Sequence, residues 1–181
     1  MAKVYEFLAN GGEEIEALAV VDILRRGGVD VTTVSITGSN IVEMSHNVTI
    51  LADTTIEEAD FTDADMLLLP GGMPGTTSLE KSSLVQYAID SFMKDNKLIA
   101  AICAAPSILI HKGLLDSKEF VCFPGFECGK ESLRLKAYQH NNIITGNGLG
   151  GSIEFSALII ANLLGKDKAD EILTRIRYIN L

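Results

Sequence analysis

The sequence has 181 residues, and its 24 acidic and 15 basic side chains give a formal net charge of −9 at pH 7. This length predicts one domain over residues 1–181 with a single buried core, and the acidic balance argues against a dedicated nucleic-acid-binding protein. Hydrophobic residues make up 47% of the chain, which favours a sheet covered on both faces, but no apolar run reaches the roughly 18 residues of a membrane span.

Apolar runs that resemble strands alternate along the chain with helical patterns, as in α/β domains with a mostly parallel sheet. The predicted strands are residues 3–9, 30–36, 66–69, 98–102, 119–123 and 142–145. The predicted helices are residues 13–26, 82–95, 104–111, 152–164 and 166–175. Residues 40–51 alternate apolar and polar side chains and predict a small inserted hairpin. We therefore expect a flavodoxin-like, doubly wound sheet with strand order 2-1-3-4-5, which binds ligands at the carboxyl ends of its strands.

Glu16 is an acidic residue on the apolar face of the first predicted helix, which also carries Val20 and Leu24. A carboxylate that points into a core is unfavourable unless it is paired or protonated, so this position predicts a raised pKa and an acid–base role. The alternative is a first-turn acid that bends outward toward solvent. Ile15 and Leu18 lie on the other side of the helix, where they form either a homodimer contact or an isolated apolar surface pair.

The strand 66–69 ends in Pro70-Gly71-Gly72, a turn that can bring backbone N–H groups close to a bound molecule. One of these groups, the N–H of Gly72, could help to form an oxyanion hole. Most Pro-Gly-Gly sequences are only turns, so this signal is weak by itself.

Cys103 stands where a buried strand passes directly into a helix that has Pro106 in its first turn. The small residues Ala101 and Ala105 flank it, as glycines flank the nucleophile of a nucleophile elbow. A helix N-terminus favours a thiolate, so this position predicts a reactive thiol with a lowered pKa. The alternative is a small cysteine buried in the core. In the predicted strand order, Glu16, Gly72 and Cys103 meet at one edge of the sheet.

Four segments give the sequence a resemblance to a known family: Leu8-Ala-Asn-Gly-Gly-Glu-Glu-Ile-Glu16, Leu69-Pro-Gly-Gly72, Ala100-Ala-Ile-Cys103-Ala-Ala-Pro106 and Asn147-Gly-Leu-Gly-Gly-Ser-Ile-Glu-Phe155. Through them the whole chain resembles the DJ-1/ThiJ/PfpI superfamily, and within it the branch of bacterial YajL and a human protein deglycase.

The resemblance implies a role for each matching residue. It makes Cys103 the nucleophile and the oxidation-sensitive cysteine, Glu16 its hydrogen-bonded acid, and Gly72 and Ala104 the oxyanion donors. It also assigns Gly71 and His46 to substrate binding. A flavodoxin-like fold and a homodimer are implied, with no metal and no organic cofactor.

The sequence departs from the family pattern at two positions. Phe123 precedes Pro124 where some members carry a histidine that approaches the cysteine, so a Cys–His dyad is not expected there. His46 replaces an arginine of the human relative, so a positive charge at this position depends on pH.

The remaining histidines and cysteines receive structural interpretations. We expect His111 and His140 to be surface or capping residues and Cys122 and Cys128 to be structural free thiols, with no zinc site. Free thiols and a start without the pattern of a signal peptide predict a cytoplasmic protein.

Two functional hypotheses follow. The first is a cysteine-dependent glyoxalase or protein deglycase that acts on methylglyoxal or its adducts on side chains. The second is a redox sensor and oxidative-stress chaperone without turnover. A protease or amidotransferase-like hydrolase is a weaker third reading, because Phe123 stands at the position of the histidine. The expected partners are small α-oxoaldehydes or glycated side chains and a second copy of the chain, without membrane or nucleic-acid binding.

Overall fold

The computed structural model describes residues 1–178, which form nine strands and six α-helices. The strands are β1 (Lys3–Leu8), β2 (Asp30–Ser35), β3 (Ile41–Glu43), β4 (Thr49–Leu51), β5 (Thr54–Thr55), β6 (Met66–Leu69), β7 (Leu98–Ile102), β8 (Ala137–His140) and β9 (Ile143–Gly146). The helices are α1 (Glu14–Gly27), α2 (Gly75–Lys81), α3 (Ser83–Lys94), α4 (Pro106–His111), α5 (Ser152–Leu164) and α6 (Lys166–Arg175). Within the described residues, every helix is too short or too polar to cross a membrane.

Seven strands form the central sheet in the order β5-β2-β1-β6-β7-β9-β8, with only β8 antiparallel to its neighbour. Its five inner strands, β2-β1-β6-β7-β9, have the predicted order 2-1-3-4-5, so the flavodoxin-like fold is confirmed. Buried side chains of α1, α5 and α6 pack on one face, and those of α3 and α4 pack on the other. The carboxyl ends of β1, β6 and β7 therefore lie side by side.

The predicted strand at residues 119–123 is wrong. Phe120, Val121 and Cys122 are buried in this segment, but its backbone forms no strand ladder. The Val121 N–H donates to the hydroxyl of Thr145 at 3.0 Å instead. Strand β8, which was not predicted, pairs with the edge of β9 that faces away from β7. Residues 119–123 therefore cannot pair with β9 at that edge.

Most other predicted elements are confirmed within one or two residues. The inserted hairpin is formed by β3 and β4, as expected. Helix α2 and the two-residue strand β5 were not predicted. The helix predicted from residue 104 begins at Pro106, because Cys103 has a positive φ of 64° and the chain needs the next two residues to turn.

Candidate functional site

Cys103 lies in a sharp turn between β7 and α4, as the nucleophile-elbow pattern predicts. Its backbone N–H donates to the Gly146 carbonyl at 2.9 Å, and its own carbonyl accepts from the Phe123 N–H at 2.8 Å. A φ of 64° is unusual for a residue with a side chain and costs about 1–3 kcal/mol, so the surrounding contacts must hold it. The thiol is half-buried, which leaves part of it accessible.

Glu16 is directed inward from the first turn of α1 and is only 1% exposed. Its Oε2 accepts a hydrogen bond of 3.1 Å from the Gly71 N–H. Burial raises the pKa of Glu16 to about 7, whereas hydrogen bonds with Cys103 and with the N–H groups of Gly71 and Leu149 partly lower it. The predicted inward position and raised pKa are therefore confirmed.

The thiol of Cys103 and the carboxyl of Glu16 titrate as a coupled pair. Burial raises the pKa of the thiol to about 12, and the charge and hydrogen bond of ionised Glu16 act in the same direction. The N–H groups of Gly72 and Ala104 bond to the sulfur and lower this pKa in part. The lowered pKa predicted from the helix N-terminus is therefore wrong, because burial of the thiol and the neighbouring carboxylate of Glu16 both raise its pKa, and α4 has only six residues. The pair loses one proton near pH 7 and holds the second one strongly.

Gly71 and Gly72 allow the β6 turn to approach the pair closely. A β-carbon at Gly71 would lie 2.5 Å from Cys103 Cβ and 2.6 Å from Glu16 Oε2, so no side chain fits there. Gly72 has a φ of 88°, and a β-carbon on it would lie 2.3 Å from the backbone nitrogen of Glu13. Because neither glycine has a side chain, the turn can come close enough for the Gly72 N–H to bond to the sulfur.

The turn before α5 contributes two residues to which the sequence analysis assigned no role, Gly148 and Leu149. A β-carbon at Gly148 would lie 3.7 Å from Glu16 Oε1 and 3.8 Å from Cys103 Sγ, and the Leu149 N–H bonds to Glu16. The glycine-rich segment that carried part of the family resemblance was the available signal. This segment is far from Cys103 in the sequence, so the contact could not be predicted from local patterns. The contact forms because β9, which precedes the segment, pairs with β7, which precedes Cys103.

His46 lies in the loop between β3 and β4 and is paired with acids at the start of α1. Its Nδ1 is 3.1 Å from Glu14 Oε1 and 3.6 Å from Glu13 Oε2. The hydrogen bond and charge of Glu14 raise the pKa of His46, which favours the imidazolium. Potential metal-ligating atoms of these three side chains lie within 4.8 Å of one another, and their mutual ion pairs and a hydrogen bond from Ser45 to Glu14 account for this clustering.

The other histidines and cysteines lie away from the Cys103–Glu16 pair. His111 bonds to Glu80 at 2.5 Å, and His140 lies 3.5 Å from Glu119. His111 is exposed and His140 is partly exposed, in agreement with the expected surface positions. Cys122 is buried, Cys128 is exposed, and neither forms a disulfide within the described part of the chain. Burial raises the pKa of both thiols.

The chain is similar to known proteins over most of its length. The model of the DJ-1/PfpI family matches residues 2–162. The Arabidopsis thaliana protein DJ-1 homologs B and A are 35% and 36% identical over 94% and 91% of the chain, but the chain spans only 40% and 44% of their lengths. The Caenorhabditis elegans glutathione-independent glyoxalase DJR-1.2 is 27% identical over 89% of the chain and 88% of its own length. The structure of oxidized Toxoplasma gondii DJ-1 superposes with a TM-score of 0.94 and 33% identity, covering 99% of this chain and 100% of the other.

Proposed function

The chain belongs to the DJ-1/PfpI family, and from that premise we propose that it is a cysteine-dependent glyoxalase that converts methylglyoxal to lactate. The observation that carries the proposal is the inward carboxyl of Glu16, which is 1% exposed, has a pKa near 7 and is hydrogen-bonded to Cys103. A carboxyl with this pKa can both accept and donate a proton at neutral pH. A C. elegans relative named as a glyoxalase supports the same reaction class.

The reaction begins when the Cys103 sulfur attacks the aldehyde carbon of methylglyoxal and Glu16 accepts the thiol proton. The resulting hemithioacetal oxyanion takes hydrogen bonds from the N–H groups of Gly72 and Ala104, which point to the sulfur in the free protein. Glu16 returns the thiol proton to this oxyanion and becomes a carboxylate again. It then carries the proton on the former aldehyde carbon to the ketone carbon, and the hydroxyl proton passes to the former ketone oxygen, so that the ketone carbon is reduced and the aldehyde carbon is oxidised to a thioester. Water hydrolyses the thioester, releasing lactate and restoring the thiol.

The same site suits methylglyoxal adducts on protein side chains, so we extend the proposal to protein deglycation. A hemithioacetal or hemiaminal on a side chain contains the aldehyde and ketone carbons of methylglyoxal. When the side chain leaves, the aldehyde carbon becomes available for attack by Cys103. The half-buried position of the thiol provides limited access from solvent.

The test is lactate formation from methylglyoxal by the purified protein. We expect the wild type and Cys128→Ser to form lactate at the same rate, because Cys128 is exposed and separate from the pair, and we expect Cys103→Ser to form none. Wild-type protein that forms no lactate, or equal rates in Cys103→Ser, would overturn the proposal. Release of free side chains from methylglyoxal-treated peptides tests deglycation in the same three proteins.

A second candidate function, redox sensing with chaperone activity, is favoured by the accessible part of the Cys103 thiol beside a carboxyl that can stay protonated. Two equivalents of peroxide oxidise a thiolate to a sulfinate and are reduced to water, and Glu16 can donate a hydrogen bond to the product. The T. gondii relative is described as oxidized, which supports this chemistry in the family. Mass spectrometry after mild peroxide tests it: Cys103 must gain two oxygens before Cys122 and Cys128 do.

We also propose that the protein is a cytoplasmic homodimer. The partner surface is the outer side of α1, where Ile15 and Leu18 are 49% and 41% exposed. On the adjacent hairpin, the register pair Ile41 and Leu51 is also exposed. Apolar exposure of this extent on two neighbouring elements is typical of a contact between subunits.

A further inference from the structure

The ring of Phe123 forms one wall of the space around the Cys103 sulfur. A β-carbon at Gly148 would lie 3.2 Å from Phe123 Cδ2, 3.7 Å from Glu16 Oε1 and 3.8 Å from Cys103 Sγ. The ring, the carboxyl and the sulfur therefore converge on the same side of Gly148. When the Cys103 sulfur is bonded to the aldehyde carbon of a substrate, the rest of the substrate can therefore contact the Phe123 ring.

Phe123 is held in place, yet about half of it remains open to solvent. Its backbone N–H donates to the Cys103 carbonyl at 2.8 Å, which fixes the residue to the nucleophile turn. Its ring contacts the ring of Phe126 edge to face, with 6.4 Å between the ring centroids, and Phe126 packs against the core. The residue is nevertheless 48% exposed, so an apolar surface stands free beside the nucleophile.

The remaining surroundings favour an apolar ligand over an anionic one. Met73 and Leu149 directly follow Gly72 and Gly148 in the chain and are 49% and 50% exposed. Glu16 is the acid beside the sulfur, and the charge of Glu13 acts on Glu16. A negatively charged substituent would be repelled here, whereas an apolar one could displace water from the ring.

We propose that Phe123 determines substrate specificity, and that the site prefers α-oxoaldehydes with a planar apolar substituent. This inference rests on the proposed glyoxalase function and names its substrate class. Phenylglyoxal represents that class, and methylglyoxal has a smaller substituent. With phenylglyoxal the same steps add one water and give mandelate. The aromatic substituent packs against the Phe123 ring in the adduct and in the following transition states.

The experiment compares kcat/KM for phenylglyoxal and methylglyoxal in three proteins: the wild type, Phe123→Ser and Tyr87→Ser. Tyr87 is an exposed aromatic residue on α3, so its variant controls for the loss of a surface ring. We expect Phe123→Ser to lower the ratio of the two kcat/KM values by roughly tenfold, and Tyr87→Ser to leave it unchanged. Phe123→Leu, which keeps an apolar side chain, should give an intermediate ratio. A ratio that Phe123→Ser leaves unchanged would overturn the inference.

A second measurement separates this inference from the proposed function. Each aldehyde forms a reversible hemithioacetal that protects Cys103 from iodoacetamide, and mass spectrometry of the Cys103 peptide measures the protection without turnover. If no aldehyde gives product with the wild type, the glyoxalase proposal fails, but protection still decides the role of Phe123. We expect half-protection at a roughly tenfold lower concentration of phenylglyoxal than of methylglyoxal, and loss of this difference in Phe123→Ser. Equal protection by the two aldehydes in the wild type contradicts the inference.

Discussion

Gly71 and Cys103 stand so close that a β-carbon on the glycine would lie 2.5 Å from the β-carbon of the cysteine. The same added atom would lie 2.9 Å from the Ile102 carbonyl, which is backbone and has little freedom to move. The turn after β6 can therefore carry only glycine at this position, and the absence of a side chain is a requirement of the site.

We predict that Gly71→Ala lowers lactate formation by at least tenfold and the free energy of unfolding by about 1–3 kcal/mol. The methyl group must displace Cys103 or Glu16, and either movement separates the thiol from its acid. Gly27→Ala is the matched control, because its methyl group would meet side-chain atoms of Ile160 and Leu164, the nearest being Ile160 Cδ1 at 3.2 Å. Urea unfolding and the lactate assay measure both effects. Full activity in Gly71→Ala would show that the close contact is not needed.

We predict that Glu16→Gln lowers kcat by about 10²–10⁴-fold, because an amide cannot carry a proton between the two substrate carbons. In the wild type, kcat/KM should rise with pH through about 7 as Glu16 becomes a base, and the variant should lack this rise. The pKa of Cys103 should also fall below its wild-type value of about 12, since the variant removes the neighbouring negative charge.

The rate of iodoacetamide alkylation of Cys103 as a function of pH measures that shift directly. Glu58→Gln removes a carboxylate from the exposed surface and should change neither the pH profile nor the alkylation curve. A Cys103 pKa that stays constant or rises in Glu16→Gln contradicts the coupling between the two groups.

The parts of the site that the sequence revealed have local signals. Glu16 interrupts the apolar period of one helix, and Cys103 lies between a strand and a proline-initiated helix. By contrast, the contact of Gly148 with the pair depends on β9 pairing beside β7, and nothing near Gly148 in the sequence specifies that neighbour.

The errors in the fold have a similar origin. Residues 119–123 have the composition of a buried strand, but whether they join the sheet depends on a competitor for the β9 edge. That competitor, β8, is only partly buried along its length and shows no clear alternation. The position of Cys103 before a helix predicts a lowered pKa, whereas burial and the charge on Glu16, which come from distant parts of the chain, raise it.

We predict that Leu18→Glu converts a homodimer into monomers. A carboxylate at the centre of the exposed face of α1 would have to be desolvated in the contact, which opposes association. Leu84→Glu is the matched control, since Leu84 is 44% exposed on α3, away from α1. Light scattering after size-exclusion chromatography gives the mass. A wild-type monomer, or a dimer that survives Leu18→Glu, would exclude this surface as the interface.

Glu6 is an acid in the centre of the sheet and has no role in the proposed reaction. It lies on β1, in register with Thr33 of β2 and Leu68 of β6, and it is fully buried. Neither carboxyl oxygen has a hydrogen-bond partner within residues 1–178. Burial raises the pKa of Glu6 well above its ordinary value of 4.5, which favours the protonated carboxyl in the folded protein.

We predict that Glu6→Leu raises the free energy of unfolding at pH 7 by about 1–3 kcal/mol, because it removes a buried polar group without a partner. The gain should depend on pH. Below pH 4.5 the carboxyl is protonated in both the folded and the unfolded state, and ionisation does not affect stability. Above that pH the unfolded chain releases the proton while the folded protein keeps it, so wild-type stability falls as pH rises.

For one proton this loss is about 1.4 kcal/mol per pH unit. Glu16 adds a similar loss only up to pH about 7, where its folded form also ionises. Urea unfolding of the wild type and of Glu6→Leu between pH 5 and 8 should therefore show a smaller slope in the variant, and Glu58→Gln should retain the wild-type slope. Equal slopes in Glu6→Leu and the wild type would mean that Glu6 ionises in the folded protein. Because the carboxylate has no hydrogen-bond partner among the described residues of this core, its ionisation would require the sheet to rearrange or water to enter the core.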